Sequence, residues 1–271
     1  APIFLELVQI RDRMAKIDGY DNYSDYAYEM YYRDFDPEDI AELRQVVKDE
    51  FVPLVNEFYY KWASLQEPRI APADGEKILN QLEPGIKGVS PELSKSWDYM
   101  RKYHTYDIED SDSKAEVGFT IGLPDYGCAY IFMKPYGGIY DYTTMVHEFG
   151  HCNADFHNIE IPIYQWFTID VMEIQSQGLQ LLILPHYSKI FGAKATEYIE
   201  TYELTNLAYS VTAGFQFDEF QDIIYRNPDM TIEEIDELAG RLDDEYNSGY
   251  NYYAEQSWVE ISHNFESPMY Y

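Results

Sequence analysis

A mainly helical protein with one small β-sheet beside a central helix is the fold class this sequence predicts. Three observations carry that expectation. Apolar residues at three- and four-residue spacing, opened by helix-start signals, recur through both flanks of the chain. Residues 117–140 instead gather glycines and prolines around two short β-prone pieces. A further helical run, opened by Asp141, follows that region at once.

Taken in order, the first strong helix start is Asp36-Pro37-Glu38-Asp39, with a capping residue, a proline in the first turn and acids at the positive end of the dipole. Ile40, Leu43, Val46 and Val47 follow at helical spacing, and Pro53 is expected to kink the run. Ser90-Pro91-Glu92 repeats the start signal and leads into Trp97 and Met100. Residues 117–121 and 129–133 read as two strands joined by a turn, and Asp141 as the cap of the next helix. Residues 194–225 read as one or two helices. Thr231-Ile232-Glu233-Glu234 is a capping box ahead of Ile235, Leu238 and Leu242. The expected organisation is one domain over 1–271, with a mostly helical part at 1–113, strands and two site helices at 114–184, and a helical part at 185–271.

Composition narrows the function classes. A net charge of −30 repels phosphate, so nucleic acid and anionic membrane surfaces are excluded as partners. No apolar run reaches the ~18 residues that a spanning helix needs; the stretch Leu179 to Pro185 is interrupted by Gln180 and ends at a proline. The two cysteines, Cys128 and Cys152, read as a reduced, buried pair and not a disulfide framework. A cytoplasmic protein is the expectation, with secretion left open because no initiator Met opens the sequence.

His147-Glu148-Phe149-Gly150-His151 carries the chemistry. Residues four apart on a helix lie one above the other, so His147 and His151 can offer imidazole nitrogens to one metal ion. Glu148 is offset from the ligand face, which suits a general base acting on the attacking water. Such a site needs a third protein ligand. Glu173 lies 22 residues after His151, far enough for the chain to turn back beside the first helix. A carboxylate on an apolar helix needs a partner, and Lys and Arg are absent from 135 to 188, so a zinc ion, one per chain, is the expected partner.

These residues bring a family into view. His-Glu-Phe-Gly-His followed by Asp170-x-x-Glu173-x-x-Ser176-Gln177 resembles the thimet oligopeptidase and oligoendopeptidase F family of zinc metallopeptidases. The segment from Gly19-Tyr20-Asp21-Asn22-Tyr23 to Arg33-Asp34-Phe35, the stretch Lys114 to Phe132, and Trp258 to Tyr271 are similar to family segments in the same order. The resemblance implies a zincin-like catalytic domain with His147, His151 and Glu173 as metal ligands and Glu148 as the base. It implies His263 as a donor to the oxyanion, helped by Tyr271 or Tyr270, and substrate along the strand at Gly118, Phe119 and Thr120. It further implies oligopeptide substrates cut at internal bonds, and an N-terminal helical half in a longer protein. The chain departs from many members at Ala154, where they carry a further histidine. His104, His157 and His186 read as structural or exposed. Two rival functions stay open: an aminopeptidase-type glutamate-liganded zinc peptidase, and a zinc-containing peptide-binding protein without turnover.

Overall fold

The computed structural model describes residues 1–114, 118–158, 169–246 and 257–270. Helices dominate it, and the chain divides into two compact units that do not follow chain order. Unit 1 gathers Ala1–Ser64, Thr168–Asp170 and Leu204–Tyr271; unit 2 gathers Leu65–Phe167 and Val171–Glu203. The three sequential parts expected from the sequence therefore differ from the observed compact bodies. Each body is assembled from contacts between distant segments, which local patterning does not register.

Unit 1 is helical. Helix α1 (Pro2–Ile17) precedes α2 (Tyr23–Met30) and α3 (Pro37–Val46), and α3 opens on the expected signal, with Asp36 and Asp39 forming a reciprocal capping box. A wider, π-helical turn at Val47–Phe51 leads into α4 (Val52–Ala63), which carries Pro53 in its first turn. Pro53 thus stands in a first helical turn, where a missing N–H does least damage. Phe4, Val8, Tyr28, Phe220, Ile224 and Trp258 belong to the buried core of this unit. A paired charge cluster is buried with it. The Arg44 guanidinium donates to Asp218 at 2.9 Å and to Asp222 at 3.1 Å, while the Tyr28 hydroxyl donates to Asp218 at 2.7 Å. Burying these ions is tolerable because each finds opposite charge or a donor.

Unit 2 holds the sheet. Helices α5 (Gly75–Val89) and α6 (Pro91–Tyr103) come first, α6 capped by Ser90 as expected. Strand β1 (Tyr106–Ile108) follows, then β2 (Gly118–Leu123) and β3 (Cys128–Met133). The order is β1-β3-β2, with β3 parallel to β1 and antiparallel to β2. In the β2–β3 register Phe119 faces Phe132 and Thr120 faces Ile131. A short 3-10 turn at Pro124–Tyr126 joins β2 to β3 and closes on Gly127 at φ 64, a left-handed conformation that glycine adopts freely. The expected strand pair is present, although Val117, the first residue of that expectation, lies outside the described residues.

Helix α7 (Tyr140–His157) packs on β2 and β3, and α8 (Glu173–Phe191) packs on α7. Asp141 does not cap α7 as the sequence suggested. The capping position is Ile139, and the buried Asp141 carboxylate reaches back to accept the backbone N–H groups of Tyr136 at 2.7 Å and Gly137 at 2.9 Å. It fixes the turn that delivers the chain into the helix. The region read as one or two helices is a single long helix, α9 (Ala193–Arg226), which gives residues 193–203 to unit 2 and 204–226 to unit 1. Helices α10 (Ile232–Glu245), with the expected Thr231 capping box, and α11 (His263–Glu266) complete unit 1. No helix among the described residues is long and apolar enough to cross a membrane.

Candidate active site

The site is built where α7 crosses α8. Both histidines of the motif sit on α7 and present Nε2 to the same point, 3.2 Å apart. Glu173 opens α8, and its Oε2 lies 3.2 Å from His147 Nε2 and 3.4 Å from His151 Nε2. Three donor atoms at these separations match the edges of a tetrahedron of about 3.3 Å, the spacing that metal–ligand distances of ~2.0–2.1 Å require. Two imidazoles and one carboxylate are also the donor chemistry of zinc, so the residues fit the ion the sequence implied. Among the described residues these three form the group of His, Cys, Asp or Glu able to hold a metal.

The close approach has a local cause. Gly150 lies inside the motif, and a Cβ there would meet the Ser176 Cα at 2.4 Å and the Gln175 carbonyl oxygen at 2.8 Å. Only glycine lets the two helix backbones touch, and that contact brings the start of α8 to the histidines. Ser176 then ties Glu173 down, its Oγ donating to the Glu173 carboxylate at 2.8 Å.

Electrostatics within the triangle follow from crowding. Burial alone would raise the Glu173 carboxyl, but hydrogen bonds to His147 and His151 outweigh it and hold the group well below the usual carboxylate range. Burial depresses His147, and its bonds to Glu173 and Gln180 reverse the sign, so its pKa is raised. Cys152 is buried directly after the second ligand, and burial pushes its thiol up to about 12. Both cysteines are free, in keeping with the reduced pair expected.

Glu148 is buried beside the triangle and outside it. The Thr120 hydroxyl on β2 lies 2.8 Å from Glu148 Oε2 and 2.8 Å from the Glu148 backbone carbonyl, so its single proton is within reach of either acceptor. A Cβ on Gly118 would meet Thr144 Cγ2 at 2.8 Å, so this glycine lets β2 lie against α7. Of the three strand residues expected at the substrate, Gly118 and Thr120 thus face α7, while Phe119 is exposed and stacks on Phe132 at 5.0 Å. Strand β2 is an edge of the sheet.

His263 and Tyr270 belong to unit 1, where their rings stack at 4.7 Å. Tyr271 lies outside the described residues. Sequence reasoning missed two residues behind His147: Gln180, whose Oε1 lies 2.8 Å from His147 Nδ1, and Glu203, which accepts from Gln180 Nε2 at 2.7 Å. The available signal was the lone glutamine interrupting an otherwise apolar run, two helical turns after Glu173 and on the same face.

No family model and no curated protein matches this chain. Solved structures do. An X-ray structure carrying the name oligoendopeptidase F aligns at a TM-score of 0.88 and 24% identity, covering 100% of this chain and 52% of that one. PZ peptidase A, solved with an inhibitor, aligns at 0.88 and 23%, with the same coverage of 100% and 52%. A structure from Bacillus anthracis str. Ames, also carrying the name oligoendopeptidase F, aligns at 0.82 and 23%, covering 94% of this chain and 51% of that one. The chain spans about half the length of these structures. Helix arrangement and the small sheet give the chain the fold of these structures. More particularly, the chain has the fold of the oligoendopeptidase F structures, as its motifs suggested.

Proposed function

We propose that this chain carries the catalytic centre of a zinc-dependent endopeptidase that cuts internal bonds of short peptides, akin in activity to the oligoendopeptidases whose fold it has. The observation that carries the reading is the donor triangle of His147, His151 and Glu173, with Glu148 held beside it. A set of three protein donors is the count of a catalytic zinc site; a closed structural site takes four. Zinc held there supplies a Lewis acid for the scissile carbonyl and acidifies the attacking water.

The chain's own residues do the rest. Glu148 takes the proton from the attacking water and later delivers it to the leaving amine. Thr120 orients that carboxylate through the 2.8 Å bond, so its Oε2 does not swing. A peptide laid along the edge of β2 near Gly118, Phe119 and Thr120 gains main-chain hydrogen bonds by strand addition. His263, with Tyr270 or Tyr271, supplies donors to the developing oxyanion.

The test uses the full chain loaded with zinc and a peptide blocked at both ends. The wild type cleaves internally, which separates this reading from an aminopeptidase. Glu148→Gln keeps its zinc and loses cleavage by roughly three orders of magnitude or more, as loss of an essential acid–base group predicts. Full activity in that variant, or a wild type that takes up no zinc, sinks the proposal.

A further inference from the structure

Behind His147 the structure stacks two polar side chains that the metal triangle does not use. The His147 ring sits on α7, Gln180 on α8 and Glu203 on the unit 2 part of α9, so three helices meet through one line of hydrogen bonds. His147 Nδ1 is 2.8 Å from Gln180 Oε1, and Gln180 Nε2 is 2.7 Å from Glu203 Oε2. Glu203 is 3% exposed. A buried carboxyl in an apolar helix pair is costly to keep unless it does something specific.

With Glu203 ionised, the order of donors along this line is forced. A carboxylate oxygen accepts, so the face of the Gln180 amide turned toward Glu203 must be the NH2. The amide oxygen is then the face turned toward His147, and an amide oxygen only accepts. The Nδ1 of His147 must therefore carry its proton, and the lone pair falls on Nε2, the atom aimed into the donor triangle. Burial pushes Glu203 up to about 7, so it exists in both protonation states near neutrality. Protonated on Oε1, Glu203 keeps Oε2 as an acceptor and the line keeps its direction; protonated on Oε2, it would donate to the amide oxygen and turn the amide over, so the fixed direction belongs to the ionised carboxylate.

We propose that Gln180 and Glu203 are a positioning pair that fixes the tautomer and ring orientation of His147, and so sets how tightly this site holds a divalent metal. The inference rests on the zinc reading above. Gln180 acts on His147 directly, and Glu203 acts through Gln180 by choosing which way its amide points. A glutamine in this place carries no charge and has no titrating proton. It therefore orients the ligand without adding a second carboxylate to the field of Glu173.

The experiment reads zinc affinity by competition with a chelator, on the full chain, with folding checked by the urea midpoint of each zinc-free protein. Gln180→Leu removes both bonds and is expected to weaken zinc binding by about 10–100-fold, the usual range for an outer partner of a ligating histidine. Glu203→Leu is expected to weaken it less. The double variant should be no weaker than Gln180→Leu alone, because the hydrogen-bond route from Glu203 to His147 runs through Gln180. Glu203→Gln can still present an oxygen to Gln180, and should restore affinity to within about threefold of wild type.

Nitrogen-15 spectra of the zinc-loaded wild type add a readout that needs no variant. His147 should be bonded to zinc through Nε2 with a protected Nδ1–H. A folded Gln180→Leu that binds zinc as tightly as wild type overturns the proposal, as does an additive double variant. Ligation through Nδ1 overturns it even where the variants fail to fold. A wild type that binds zinc while these effects are missing leaves the peptidase reading standing. A wild type that binds none brings down both together.

Discussion

Replacing Gly150 by alanine should open the donor triangle without touching a ligand. The new methyl would lie 2.4 Å from the Ser176 Cα and 2.9 Å from the Ser176 nitrogen, both backbone atoms of α8. Carbon atoms rest at ~3.5–4.0 Å, so α8 must retreat by roughly 1 Å at this point. Ser176 is three residues after Glu173 and hydrogen-bonded to its carboxylate at 2.8 Å, so the shift is passed to the third ligand. Edges now at 3.2 and 3.4 Å would stretch beyond the tetrahedral spacing. Overpacking of this kind costs about 1–3 kcal/mol of stability. A displacement of about 1 Å at a reacting or ligating atom costs roughly 100-fold in function, so zinc affinity is expected to fall by about 10–100-fold. Urea unfolding of the metal-free protein and chelator competition measure the two effects separately. Gly178→Ala is the control: it lies on α8, the helix that Gly150 touches, its new methyl would meet nothing within 4 Å, and it should gain about 0.5–1 kcal/mol from helix propensity. If Gly150→Ala keeps both wild-type stability and zinc affinity, or if Gly178→Ala loses as much, the close-approach argument is refuted.

Thr120→Val removes the hydroxyl that holds Glu148 and should lower kcat by about tenfold with zinc affinity unchanged; an equal loss of zinc would show that Thr120 supports the ligands instead. His263→Ala should lower kcat by about 10²–10³ and leave the zinc content intact, and steady-state kinetics beside metal analysis checks both. Glu203 makes a pH prediction. Its carboxyl is raised from 4.5 to about 7 on folding, because burial outweighs the bond from Gln180. The folded chain therefore binds this proton more tightly than the unfolded chain; the associated stability is full below about 4.5 and is lost as pH rises through about 7. Metal-free wild type should lose about 3 kcal/mol relative to Glu203→Gln across that window, read as the difference between two urea series. Arg44→Ala leaves the buried Asp218 without its cation, while Asp222 keeps Arg226 at 2.8 Å, and should cost about 3–5 kcal/mol in the same assay.

The sequence disclosed the site unevenly, and the division has physical reasons. Ligands four apart on one helix announce themselves, because local geometry alone places His147 over His151. Glu173 was legible by a different route: an acid among apolar neighbours with no cation nearby has to be answered by something. Gln180 and Glu203 gave only half of such a signal, since their partners are 33 and 23 residues away and are chosen by helix packing. Strand β1 was silent for a similar reason: three half-buried residues have no pattern of their own and become a strand by pairing with β3. Asp141 misled because an acid in the first turn of a helix resembles a cap, while its bonds go to the loop behind it. The helix starts at Asp36, Ser90 and Thr231 were readable because capping is a contest between neighbouring groups only.

The place of β2 at the end of the strand order, among the described residues, also bears on how the molecule behaves in a tube. Backbone donors and acceptors ready for a peptide are equally ready for another copy of the same strand, and Phe119 and Ile121, 45% and 52% exposed, add apolar area to such a pairing. A charge of −30 keeps copies apart in dilute buffer. Salt shortens the reach of that repulsion to about 8 Å at physiological strength and about 3 Å at 1 M. Concentrated protein in high salt is therefore the condition that favours strand-to-strand self-association, and a short peptide able to occupy the edge is the additive that prevents it.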